Sequence, residues 1–241
     1  MIKFFRKIRQ NLLDENKTGK YFKYAIGEIA LVVIGILIAL SLNNWNNNKK
    51  DLAYETKALQ EIYKGLQLDH SALDIFINDT EKGIQSITVL DSLLQKDMPT
   101  YNKALDTLFG AVYGFRFYSI EKANYEDLKT NSLNLVKNDA LRQQLIIVFE
   151  SEYSKNEKNY NSEIWVNDLL RPYYLENFQN LVFSKTATPI NYELLYENSY
   201  YKNLVNYRLS FLKIILEKSF KTMKLEMETL MRLIEGYIDV K

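Results

Sequence analysis

His70 is the single histidine in a chain that has no cysteine, so the side chains that most often carry proton transfer and nucleophilic chemistry near neutral pH are almost absent. A metal site built on two imidazoles is excluded, and a serine–histidine relay would have to rest on His70 alone. It lies between Asp69 and Ser71 in a stretch with a strong apolar helical stripe. Successive helical side chains diverge by about 100°, so Asp69 and His70 are not a catalytic pair by adjacency. Without a nucleophile elbow nearby, His70 reads as a surface histidine. Glu150, Glu152 and Glu157, and again Glu217, Glu226 and Glu228, offer carboxylates, yet none stands in the Glu-x-x-His spacing of a di-iron bundle. Solvated helix faces account for them. The 8 glycines are scattered and make neither a phosphate-binding loop nor a dinucleotide fingerprint. No catalytic, cofactor-binding or metal-binding residue is assigned, and the expectation is a protein that is not an enzyme and uses no cofactor.

The patterning says more about where the chain sits. Ala25 to Leu42, AIGEIALVVIGILIALSL, holds one charge, Glu28, and has the length a helix needs to cross a bilayer core. Lys3, Arg6, Lys7, Arg9, Lys17, Lys20 and Lys23 precede it, whereas the next twenty residues after it hold only Lys49, Lys50 and Lys57. Positive charge marks the cytoplasmic side, so the N-terminus is expected inside. Tyr21, Phe22 and Tyr24 at one end and Trp45 at the other match the aromatic belts found at headgroup depth. The domain reading is a cytoplasmic basic amphipathic segment over 1–24, a transmembrane helix over 25–44 and an extracytoplasmic helical bundle over 45–241.

Within residues 2–13, Ile2, Phe5, Ile8, Leu12 and Leu13 share a face that Arg9 interrupts. Both a helix lying on an anionic leaflet and a basic tail that merely orients insertion fit this pattern. A small-x-small site at Ala39, Leu40 and Ser41 suits a cleaved signal peptide; the long basic region, Glu28 and the apolar run through Leu42 favour a retained span. Glu28 either meets a partner helix or ion, or snorkels to the headgroups near Lys20 and Lys23. Gly35 and Ala39 form a small-xxx-small pair that lets two helices approach, which allows a homo-oligomer. Glu28, Gly35, Ala39 and Trp45 are thus the anchor candidates.

Beyond the span, apolar residues recur at helical spacing from Leu59 to Leu94, and Pro99 should follow the end of a long helix. Ala104 to Tyr113 starts a shorter helix that Gly110 and Gly114 should break. Gly114 to Ile120, GFRFYSI, is the one piece with strand-like alternation and reads as an extended connector. Glu121 to Leu128 reads as a short helix. Asn138 and Asp139 should cap a run through Leu141 and Leu145 that continues to Leu170, with Pro172 bending or stopping it. Ser184 to Asn191 reads as a loop. Val205, Leu209, Leu212, Leu216, Met223, Met227, Leu230 and Ile234 form a near-heptad seam. Helices of this kind must bury their stripes against one another, so the fold class is all-α, a single transmembrane helix followed by an elongated helical bundle. The Tyr-rich stretches at Tyr173–Tyr174 and Tyr196–Tyr207 read as core and rim packing.

Residues 29–241 are mildly acidic and offer no basic patch for nucleic acid. The text IKFFRKIRQNLLDENKTGKYFKYAIGEIALVVIGILIALSLNNWN closely resembles a family of single-span bacterial membrane proteins known as a domain of unknown function (number six thousand and ninety). Asn124 to Lys129, NYEDLK, Asn138 to Arg142, NDALR, and Phe149 to Tyr153 are similar to the same family. That resemblance implies an N-terminal anchor with a helical remainder in the bacterial inner (cytoplasmic) membrane, the domain lying in the periplasm. It brings no activity, ligand or catalytic residue. The functional expectation is a membrane-anchored envelope protein whose partners are the lipid bilayer and other proteins; the alternative is a sensory or regulatory module that binds a ligand between bundle helices.

Overall fold

The structure is a computed structural model that describes residues 18–239. The amphipathic pattern of residues 2–13 lies outside that range. The chain divides into two compact units, 1–55 and 56–241, and helix α1 (Thr18–Leu94) contributes to both. One helix among the described residues is long and apolar enough to cross a membrane, by length and composition, and none of its most apolar window is buried. Every large apolar side chain from Ile26 to Leu42 is between 48% and 65% exposed.

The chain is mostly helical. In the second unit, α1 buries Leu59, Ile62, Leu66, Leu73, Ile87, Leu90 and Leu94, the stripe set by three-four spacing. It ends at Leu94, five residues before Pro99. Helix α2 (Leu105–Val112) follows, then an irregular connector over residues 113–122, helix α3 (Ala123–Ser132) and a 3₁₀ turn (Leu133–Leu135). Asn138 caps α4 (Asp139–Ile146), accepting from the Leu141 N–H at 3.1 Å. A π turn (Ile147–Glu152) joins α4 to α5 (Tyr153–Asn177).

Three local expectations are corrected. Of the two expectations for Pro172, bending or stopping the helix, stopping is corrected, since α5 runs on to Asn177. Proline removes the bond to the Asp168 carbonyl, but both residues lie on the exposed side, where water takes the lost donor's place. The expected loop at Ser184 to Asn191 is largely a hairpin: β1 (Phe178–Val182) pairs antiparallel with β2 (Thr186–Pro189), Phe178 opposite Pro189 and Val182 opposite Thr186. A bulge between Gln179 and Val182 contains Asn180 at φ 53°, a left-handed conformation that Asn tolerates. Pro189 is admitted because a two-stranded ribbon is all edge. Helix α6 (Tyr192–Glu197), helix α7 (Ser199–Ile215), a second π turn (Leu216–Phe220) and α8 (Lys221–Asp239) complete the fold. All eight residues of the near-heptad seam are buried.

The third correction is Gly110, which sits inside α2 rather than ending it. A Cβ there would lie 2.3 Å from the Thr186 backbone nitrogen, so the missing side chain lets the hairpin lie directly on the helix. Around this contact Tyr174 stacks on Phe178 at 4.4 Å and on Tyr113 at 4.9 Å, and its hydroxyl donates to the Phe109 carbonyl at 2.9 Å. Tyr174, Tyr196 and Tyr201 are core residues, whereas Tyr200 is exposed. Replacing Gly110 by alanine sets two effects against each other: helix propensity favours alanine by about 1 kcal/mol, while overpacking costs about 1–3 kcal/mol. The clash is with backbone, which cannot swing aside, so Gly110→Ala should destabilise the full chain in urea unfolding; a gain in stability would show that the hairpin does not press on α2.

Candidate functional site

The four anchor candidates all lie on α1. At 100° per residue, Glu28, Gly35 and Ala39 fall within about 40° of one another, while Trp45 points elsewhere. A Cβ on Gly35 would meet nothing within 4 Å, and Trp45 is exposed with the Lys49 ammonium 5.8 Å from its ring. Glu28 is half-buried. Nothing here assembles a reactive group.

The chemistry that sequence patterning missed is in the second unit. Glu163 of α5 and Arg208 of α7 are 1% and 0% exposed and form a bidentate pair. Arg208 Nη1 donates to Glu163 Oε2 at 2.7 Å and Nη2 to Oε1 at 2.6 Å. Nη2 also donates to the Gly114 carbonyl at 2.7 Å. Glu163 Oε1 accepts the Arg116 backbone N–H at 2.8 Å and Asn167 Nδ2 at 3.4 Å. The carboxylate thus receives donors from α5, α7 and the connector, which is what a buried charge requires. A signal was present: Arg208 falls in phase with Val205, Leu209 and Leu212, a charge on an apolar stripe.

A second cluster centres on Asp69. Tyr153 donates to its Oδ2 at 2.9 Å, and Tyr118 donates to its backbone carbonyl at 2.5 Å. Burial raises the Asp69 carboxyl above its ordinary 3.8, partly offset by the Tyr153 hydroxyl. Burial likewise pushes the Tyr118 and Tyr153 hydroxyls up, with the Asp69 charge adding to it. These tyrosines are donors, not bases. His70 is not a plain surface residue: it is half-buried, with Nε2 3.0 Å from Glu228 Oε1 of α8 and Nδ1 3.7 Å from Asp74. As expected from their spacing, Asp69 and His70 face different partners. The stretches NYEDLK and Phe149 to Tyr153 meet: Tyr125 stacks on Phe149 at 4.4 Å, and Lys129 reaches Glu150 at 2.5 Å. Among the described residues no group of three or more His, Cys, Asp or Glu side chains is placed to hold a metal ion.

Compared with known proteins, the chain matches no family model, no curated protein and no solved structure. Its functional reading therefore rests on its own residues.

Breaking the buried pair from one side leaves an uncompensated charge. Arg208→Met and Glu163→Leu should each cost about 3–5 kcal/mol in denaturant unfolding, and the double replacement clearly less than the sum. Additive losses would mean that the two groups do not act as a unit. For Asp69 the folded chain holds its proton to higher pH than the unfolded chain, so ionisation removes stability as pH rises from about 3.8 toward the raised folded value. Asp69→Asn should match the wild-type Tm at the acid end of a scan from about pH 3 to 7 and exceed it increasingly above that window's start. A wild-type advantage that grows with pH would reverse the assignment.

Proposed function

We propose that this chain is a membrane-anchored, non-enzymatic envelope protein of the single-span bacterial kind its N-terminal text resembles. Residues 1–24 lie on the cytoplasmic side, 25–44 span the inner membrane once, and the helical bundle of 45–241 stands in the periplasm, where it meets protein partners. The single observation that carries this reading is the uncovered apolar surface of α1 between Ile26 and Leu42; the one-sided basic flank supplies its direction. The Phe149 to Tyr153 and NYEDLK stretches, packed on each other, support the resemblance as structural.

The second reading, a ligand-binding sensory module whose output passes through a membrane partner, is favoured by the cleft of about 530 Å³ that Arg116 lines in the second unit.

Protease accessibility tests the anchor and its direction. With a tag at Lys241 and the N-terminus probed in parallel, the tag should survive in intact cells and be lost in spheroplasts, from a full-length membrane-bound band. Protection of the tag in spheroplasts would invert the topology, and a shortened soluble band would place a cleavage near Ser41.

A further inference from the structure

Arg116 leaves the connector in two directions. Its backbone N–H serves Glu163, while its guanidinium lies against α1 at Gly83, where a Cβ would come within 2.3 Å of Nη2. Arg116 is half-buried, yet the only hydrogen bonds its guanidinium makes among the described residues are two long ones, 3.4 Å from Nη1 and Nη2 to the Ala111 carbonyl. No carboxylate lies within 4 Å of it among the described residues. The acids that act on it from farther off are Glu163, already gripped by Arg208, and Asp79, which is exposed and paired with Lys82 at 3.4 Å. Burial, and then the Arg208 charge, push Arg116 down to about 10. Two guanidiniums thus share one buried carboxylate, and Arg116 feels Glu163 and Asp79 only from beyond ion-pair distance.

The guanidinium lines a cleft of about 530 Å³, within the usual range for a small ligand. Lys82 and Lys185 line it together with one acid, Asp79, which Lys82 pairs at 3.4 Å, and Phe76, Phe115, Phe117 and Phe183 form apolar walls. The hairpin turn brings Ser184 into the lining at φ 57°, a left-handed conformation that costs serine about 1 kcal/mol or more and collects at functional positions. The Ser184 hydroxyl has no hydrogen-bond partner among the described residues, whereas Ser86 and Thr107 spend theirs on helix carbonyls at 3.1 and 2.8 Å.

We propose that this cleft binds a small organic oxyanion, a carboxylate or phosphate on an apolar body. The planar guanidinium of Arg116 takes the oxyanion bidentately, as such forks do. Ser184 and Lys185 add donors from the hairpin turn, and the phenylalanines cover the apolar part. The site is built wholly from the second unit and stands whether or not the anchor reading holds.

The test is equilibrium dialysis of the full chain in neutral detergent with radiolabelled benzoate and, separately, phenyl phosphate. The wild type should bind one equivalent saturably, and binding should weaken with added salt. Arg116→Gln should lower affinity about tenfold or more, the worth of a charge-assisted pair. Gly83→Ala keeps the charge but displaces the guanidinium head, a flexible group that can move aside, and should weaken binding while circular dichroism stays unchanged. Lys185→Gln, on the exposed turn, should lower affinity about threefold, in keeping with a partly solvated contact. The probe that binds more tightly identifies the head as carboxylate or phosphate. Absence of a saturable site for both probes, or undiminished binding in Arg116→Gln, would overturn the proposal.

Discussion

The contact on which the second unit depends is the bidentate pair of Glu163 and Arg208. Taking both charges out of water costs several kcal/mol for each ion, and only a geometry that satisfies nearly every lone pair and proton repays it. Here the carboxylate receives Nη1 and Nη2 of Arg208, the Arg116 N–H and Asn167 Nδ2, and the guanidinium also reaches the Gly114 carbonyl. Sliding α5 against α7 by one turn would bury two unpaired charges at once. The pair therefore selects one register among the several that a purely apolar seam would tolerate, which is the best-attested use of a buried polar group.

That choice propagates through the connector. Because Gly114 and Arg116 are both bonded to the pair through their backbones, the segment between α2 and α3 is held extended without belonging to a sheet. The next layer follows: Ser184 donates its N–H to the Tyr113 carbonyl at 3.0 Å, and a Cβ on Gly114 would lie 1.9 Å from Ser184 Oγ. With Gly110 making the matching allowance on α2, the hairpin turn sits directly on the connector. The Arg116 side chain, whose own N–H points inward, must then leave on the far side, toward α1 and Gly83. The electrostatic excess there results from the same bonds that fix the core.

Periodicity made the helices legible, and it failed where structure is set by backbone bonds rather than by side-chain spacing. The stripe from Leu59 to Leu94 and the seam from Val205 to Ile234 follow directly from three-four spacing, and Asn138 announced its own cap. Gly110 was misread as a breaker because its role depends on a hairpin some seventy residues away in sequence. The two π turns leave no compositional trace: Tyr153 and Lys221 donate to carbonyls five residues back, Val148 and Leu216, a register that side-chain pattern does not encode. Each lies beside an aromatic contact, Phe149 on Tyr125 and Phe220 edge-on to Phe76 at 4.8 Å. Glu163 and Arg208 were readable in principle, since each interrupts an apolar phase, but the pairing joins positions on two helices that one sequence cannot align.

The two units face opposite demands on their solvent. In the second, two opposite charges are drawn inside and paired with each other. In the first, apolar groups stand outside. Eleven large aliphatic side chains between Ile26 and Leu42 remain about half exposed, and at roughly 1 kcal/mol for half of each side chain this surface costs on the order of 10 kcal/mol in water. That is comparable to the whole stability of an ordinary domain, and a lone helix has no packing of its own to offset it. Lipid removes the cost without any protein contact, whereas water would drive the same face into aggregation or onto a second chain. By magnitude, this surface is the part of the chain that most needs a cover. For a helix in lipid, a single carboxylate one turn inside the apolar run, as Glu28 is, costs far less than one at mid-span.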